Sequence, residues 1–139
     1  MIEQRIATSF AAQPFMGHLG ARLDHASGGA CRITLPRNEA LTQQHGFVHA
    51  GAIGAIADTA AGYAALSLWP PDADVLTIEY KLNLLAPGQR ELVAVGEVVR
   101  PGKTVTVCES RVYSRVGADE ALCAIALVSL MRRELRPAA

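Results

Sequence analysis

The sequence predicts an α+β fold in which one antiparallel β-sheet wraps around a single long, buried helix. Three observations carry this expectation. In residues 50–65, eleven of sixteen positions are Ala or Gly, so neighbouring elements can approach that helix closely from several sides. Everything after Asp72 reads as strand, in runs rich in Val, Ile and Thr. Those runs are separated by Pro-Gly pairs and short turns, which join strands in antiparallel fashion. The length of 139 residues fits one domain spanning residues 1–139.

The elements are justified in chain order. Residues 2–11 place Ile2, Ile6 and Phe10 on one face of a short amphipathic helix. Gly17 and Gly20 punctuate the next stretch, and residues 20–23 read as a short strand. Ser27-Gly28-Gly29 is a turn leading into a strand over residues 30–35. Residues 36–44 are polar and loop-like. His49 or Ala50 opens the long helix, and Pro70-Pro71 closes it, since proline lacks the amide that a helix interior uses. Strands are then expected at residues 75–84, 92–99, 104–116 and 122–131. Turns are expected at Pro87-Gly88, Pro101-Gly102 and residues 116–119, with a frayed tail from Arg132.

Composition excludes several classes. Half of the residues are hydrophobic and 19% are charged, which argues against intrinsic disorder. Thirteen basic side chains balance thirteen acidic ones, which removes the footprint of a nucleic-acid binder. Cys31, Cys108 and Cys123 form no C-x-x-C pair and read as free, packing thiols of a reducing compartment. The N-terminal residues hold no long apolar run of the secretory kind, so the cytoplasm is the expected location. Residues 50–69 are apolar enough to resemble a membrane span. The central Asp58, at about 2.5–3.5 kcal/mol on the insertion scale, and the lack of a basic flank argue for a buried helix and no membrane contact.

Asp58 is the one formal charge in residues 40–71. A carboxylate in a buried helix is costly, and Ser, Thr or Asn would serve most structural purposes at less expense. The approach to the helix, Leu41-Thr42-Gln43-Gln44-His45-Gly46-Phe47-Val48-His49-Ala50-Gly51, supplies polar side chains and small residues where a helix N-terminus presents unpaired amides. An oxyanion donor there and a base or nucleophile two turns on are the parts that acyl transfer needs. His45 and His49 lie four apart, but Gly46 and the loop setting do not suit a metal pair, and no third ligand has the spacing. No metal or cofactor is expected.

The segment HAGAIGAIAD, residues 49–58, resembles the H-G-G-x6-D signature of hotdog-fold acyl-CoA thioesterases, in the branch typified by the phenylacetate-degradation (PaaI-type) enzymes. The likeness extends along the chain, through Thr77-Ile78-Glu79-Tyr80, Leu84-Leu85-Ala86-Pro87-Gly88 and Arg100-Pro101-Gly102-Lys103-Thr104. It implies that Asp58 is the catalytic carboxylate, as general base or nucleophile. The backbone amide of Ala50, where the family usually has Gly, would polarise the thioester carbonyl. Gln43 matches an Asn or Gln near the thioester or the water, and Thr77 matches a Ser/Thr that orients the attacking water. Gly62 lacks the hydroxyl that some relatives carry there. His49 would hydrogen-bond the loop to shape the site, with Gly51 beside the substrate. Coenzyme A is a polyanion, so Arg100 and Lys103, and also Arg111 and Arg115, are candidates at the site mouth. The resemblance further implies a homodimer with composite active sites, each joining Asp58 of one copy to Gln43 and Ala50 of the other, with homotetramers as a further step.

Acyl-CoA is thus the expected substrate, with aryl-acetyl or medium-chain groups, and Phe47, Tyr63, Leu66, Trp69 and Leu82 are candidates to line the pocket. Two alternatives remain at this point. A hotdog hydratase or dehydratase would use His49 and Asp58, and a non-catalytic module would bind acyl-CoA without turnover.

Overall fold

The computed structural model describes residues 1–134. Two short helices, α1 (Gln4–Ala11) and α2 (Pro14–Leu19), precede a hairpin of β1 (Arg22–Ser27) and β2 (Ala30–Leu35). The long helix α3 (Ala50–Leu66) comes next, then β3 (Ala73–Leu84), β4 (Leu92–Arg100), β5 (Val105–Val116) and β6 (Asp119–Glu134). The six strands form one antiparallel sheet in the order β1-β2-β4-β5-β6-β3, curled around α3. This is the hotdog arrangement that the resemblance implies.

Twelve of the seventeen residues of α3 are buried. The closest approach is at Gly96 of β4, where a Cβ would stand 2.5 Å from the carbonyl carbon and oxygen of Ala60. Glycine in a Val-rich strand marks such a backbone contact. Burial is not uniform round the helix: Gly51 is exposed, and Ala55, Asp58 and Thr59 are only half-buried. Spaced by four, three and one, these residues form a single stripe that the chain's own sheet leaves open.

Several expectations are corrected. The turn at Pro87-Gly88 does not make a hairpin, because β3 pairs with β6 and β4 pairs with β2 and β5. The segment instead crosses the end of the sheet: the Leu85 and Ala86 amides donate to the Cys123 carbonyl, and the Val48 amide donates to that of Gly88. Helix α3 ends at Leu66, before the proline pair. Its last turn finds side-chain partners, since the Ser67 hydroxyl donates to the Ala64 carbonyl and Arg5 donates to the carbonyls of Leu66, Trp69 and Pro70. Residues 14–19 are helical, with Pro14 at the first turn and Gly20 (φ 75°) in the left-handed cap. The first strand is Arg22–Ser27, displaced from residues 20–23, and an irregularity between Leu23 and His25 hides its alternation. Arg132 to Glu134 continue β6 instead of fraying, and residues 135–139 of the expected tail lie outside the described residues.

The edge strand β3 is unlike the others. Eight of its twelve residues are exposed, among them Leu76, Ile78, Tyr80 and Leu84. No helix of the described residues is long and apolar enough to cross a membrane. The three cysteines are free and buried, and burial pushes the Cys31 and Cys108 thiols up to about 12, so they pack as small apolar groups.

Candidate active site

Asp58 sits in the third turn of α3, on the open stripe. The Thr77 hydroxyl on β3 donates to its Oδ1 at 2.7 Å. Burial raises the Asp58 pKa above the ordinary carboxylate value, and the Thr77 hydrogen bond opposes part of that rise. The result is a carboxylate held in one orientation and more basic than a surface aspartate. The two residues line one cavity, of about 250 Å³, with Ser9, Gln13, Thr59, Gly62, Tyr63 and residues 74–76.

A second cavity, of about 450 Å³, lies at the other end of the helix, lined by Gln43, Phe47, His49, Ala50 and the 84–88 crossover. Here the helix N-terminus is arranged as a donor. His49 is the N-cap, with extended φ and ψ of −60° and 137°, and its Nδ1 accepts from the Gly51 amide at 2.8 Å. Accepting at Nδ1 puts the ring proton of a neutral His49 on Nε2. A side chain at Gly51 would meet that ring at 2.9 Å, which accounts for the glycine. The Ala52 and Ile53 amides donate to the His49 carbonyl. Of the first four amides of α3, that of Ala50 alone has no acceptor among the described residues. An unpaired amide at a helix N-terminus is suited to a developing oxyanion.

Gln43 orders the loop leading to this point. Its Oε1 accepts from the His45 and Phe47 amides at 2.6 and 3.3 Å, so its side-chain NH2 is the end left for a ligand. The structure therefore brings Gln43, His49 and Ala50 together, with Gly51 adjacent, and separately brings Asp58 and Thr77 together. It does not join the two sets within one chain. Eight residues of helix, about 12 Å at 1.5 Å per residue, separate Ala50 from Asp58.

The basic candidates lie outside both cavities. Arg100 ends β4, and Lys103 lies in the turn before β5, beside Thr104, Arg132 and Arg133. Arg111 pairs with Glu109, and Arg115 with Glu91 and Glu120, so both are engaged within the sheet surface. Of the candidate pocket residues, Phe47 and Tyr63 line cavities, whereas Leu66 and Trp69 are buried core. Ser9 and Gln13 give no signal in the sequence, because they reach the site only through the packing of α1 and the segment after it. The described residues hold no group of three or more His, Cys, Asp or Glu placed to bind a metal ion.

Comparison with known proteins places the fold. Residues 45–121 match the family model described as the thioesterase superfamily. A Halobacterium salinarum protein named as a candidate esterase is 35% identical over 111 residues, covering 76% of this chain and 74% of its own. The crystal structure of a thioesterase family protein from Silicibacter pomeroyi superposes with a TM-score of 0.92 at 42% identity, covering 94% of this chain and 97% of its own. The E. coli PaaI protein of the phenylacetic acid degradation operon has the same fold, with a TM-score of 0.83 at 20% identity and coverage of 94% and 91%.

Proposed function

The chain belongs to the thioesterase superfamily and is a thioester hydrolase, and from that premise we propose that its substrate is an acyl-CoA, with an aryl-acetyl or medium-chain acyl group. The observation that carries the reading is the pairing of a basic, Thr77-held Asp58 with a helix whose Ala50 amide has no acceptor among the described residues. Asp58 takes a proton from water as the hydroxide attacks the thioester carbonyl. Negative charge then gathers on the carbonyl oxygen, where the Ala50 amide and the Gln43 NH2 donate to it. Collapse of the tetrahedral intermediate expels the CoA thiolate and leaves the free acid.

The two half-sites meet across a homodimer in this proposal. The open stripe Gly51-Ala55-Asp58-Thr59 and the exposed β3 edge, with Leu76, Ile78, Tyr80 and Leu84 among its charged and polar residues, are joined by the Asp58–Thr77 hydrogen bond and form a surface of the kind a second copy covers. Packed antiparallel, two α3 helices set Asp58 of each copy against Ala50 and Gln43 of the other. Lys103, with Arg132, Arg133 and Glu134 near it, is the basic group proposed to meet the phosphates of CoA, and Arg100 lies on the same hairpin.

Asp58→Asn tests the assignment. Release of CoA thiol from a panel of acyl-CoAs should fall by about 10²–10⁴-fold, with the oligomer intact by size-exclusion chromatography. Retention of most of kcat would remove Asp58 from the chemistry.

A further inference from the structure

The cavity beside Asp58 reaches along α3 to Tyr63, and that side chain is held from several directions. Tyr63 lies five residues after Asp58 and lines the same cavity, about 7.5 Å further along the helix axis. Tyr63 is 3% exposed. Gln13 Nε2 donates to its hydroxyl at 2.6 Å, and Ser9 Oγ shares a hydrogen bond with it at 2.9 Å. Phe10 packs tilted against the ring with centroids 6.2 Å apart. All three partners belong to the N-terminal segment, and Arg5 of α1 fastens that segment to the end of α3. Its guanidinium donates to the carbonyls of Pro70, Leu66 and Trp69 at 2.7, 2.8 and 2.7 Å. Two hydrogen bonds hold the Tyr63 hydroxyl, so the ring is fixed in place.

An acyl-CoA enters such a cavity in one direction, because its phosphates cannot be taken out of water and its acyl end can. In the inferred binding mode, the acyl chain runs from Asp58 along this cavity toward Tyr63. An extended backbone advances about 3.5 Å per three bonds, so about 7.5 Å accommodates roughly six bonds. We infer that Tyr63, pinned by Ser9 and Gln13, sets the acyl length and restricts the enzyme to compact acyl groups of about that reach. The inference rests on the acyl-CoA reading above and adds to it the residue that selects among acyl-CoAs.

The test is a kcat/KM profile over straight-chain acyl-CoAs from butyryl to dodecanoyl, for the wild type, Tyr63→Leu, the Ser9→Ala/Gln13→Ala double variant and Gly62→Ala. Wild type should peak at or below hexanoyl and fall at least about 10-fold by decanoyl. Tyr63→Leu should move the peak to longer chains, and the double variant should raise decanoyl relative to hexanoyl. Gly62→Ala should sharpen the preference for short chains. Its added methyl would meet Leu130 and Val75 at 3.7 and 3.9 Å, ordinary contacts, so it folds and decides the matter even where Tyr63→Leu does not fold. Length profiles identical to wild type in the folded variants would overturn the inference while leaving the thioesterase reading in place. A wild type that releases no thiol from any acyl-CoA would overturn both.

Discussion

Ala50→Pro removes a single hydrogen-bond donor from the proposed oxyanion site and almost nothing else. Ala50 is the first residue of α3, the position where proline is tolerated because its missing amide is unpaired in any case. His49 before it already has the extended φ and ψ that a following proline demands. The three next amides keep their partners, the His49 ring and carbonyl. Stability should therefore change by no more than about 0.5 kcal/mol, the range of substitutions that disturb no buried feature. Loss of one oxyanion donor costs about 10²–10³-fold in kcat, or roughly 3–4 kcal/mol of transition-state stabilisation. Thiol release under saturating acyl-CoA, beside urea denaturation of the same sample, separates the two quantities. The same variant tests where the site lies. Mixed and reassociated with Asp58→Asn, it forms mixed dimers in which one of two sites is intact, and activity should recover to roughly a quarter of wild type. No recovery in a verified mixed dimer would place both halves of each site in one chain. A kcat within threefold of wild type would refute the role of the amide itself.

The remaining expectations concern the carboxylate and the helix that carries it. Thr77→Ala removes the hydrogen bond that opposes the raised Asp58 pKa, so the acid limb of the kcat/KM profile should move to higher pH with a mild loss of rate; an unmoved limb would make Thr77 a packing residue. Linkage sets the sign for stability. With its folded pKa above the ordinary 3.8, Asp58 contributes stability below that value and loses it as pH rises through the folded pKa. Asp58→Asn should thus match or exceed the wild-type urea midpoint at neutral pH, and the gap should close in acid. Gly96→Ala forces a Cβ to 2.5 Å from the Ala60 backbone, where ordinary contact begins near 3.4 Å, so the strand and helix must part by about 0.9 Å. Overpacking of this kind costs about 1–3 kcal/mol. A displacement near 1 Å two residues from Asp58 can lower kcat by about 10²-fold, and wild-type values of both would show that the glycine does not set the spacing.

The helix and its single charge are legible because both are local signals: a run of small residues, and one acid among thirty-two positions without another charge. The sheet order is not. Pro87-Gly88 has the composition of a hairpin turn, yet it serves a crossover, and only tertiary pairing distinguishes the two. The helix end is hidden for a related reason, since the side chains that satisfy the last carbonyls include Arg5, more than sixty residues away. The donor half is legible in part: the polar approach and the resemblance point to the Ala50 amide, but which of the first amides of α3 lacks an acceptor appears only in the backbone pairing of the fold. Pro14 and Gly20 are readable signals for α2 that the weak apolar pattern obscures.

The pairing of β3 with β6 has a consequence for synthesis. β3 ends at Leu84, and its one sheet neighbour among the described residues begins at Asp119, so the strand that carries Thr77 is made well before that neighbour. At about 5–20 residues per second the ribosome leaves it bare for several seconds. A released chain that ended before β6 would display β3 with both edges open, a template for aggregation. The edge proposed to meet a second copy takes its final form only when β6 is in place, so the proposed pairing of subunits waits on that strand.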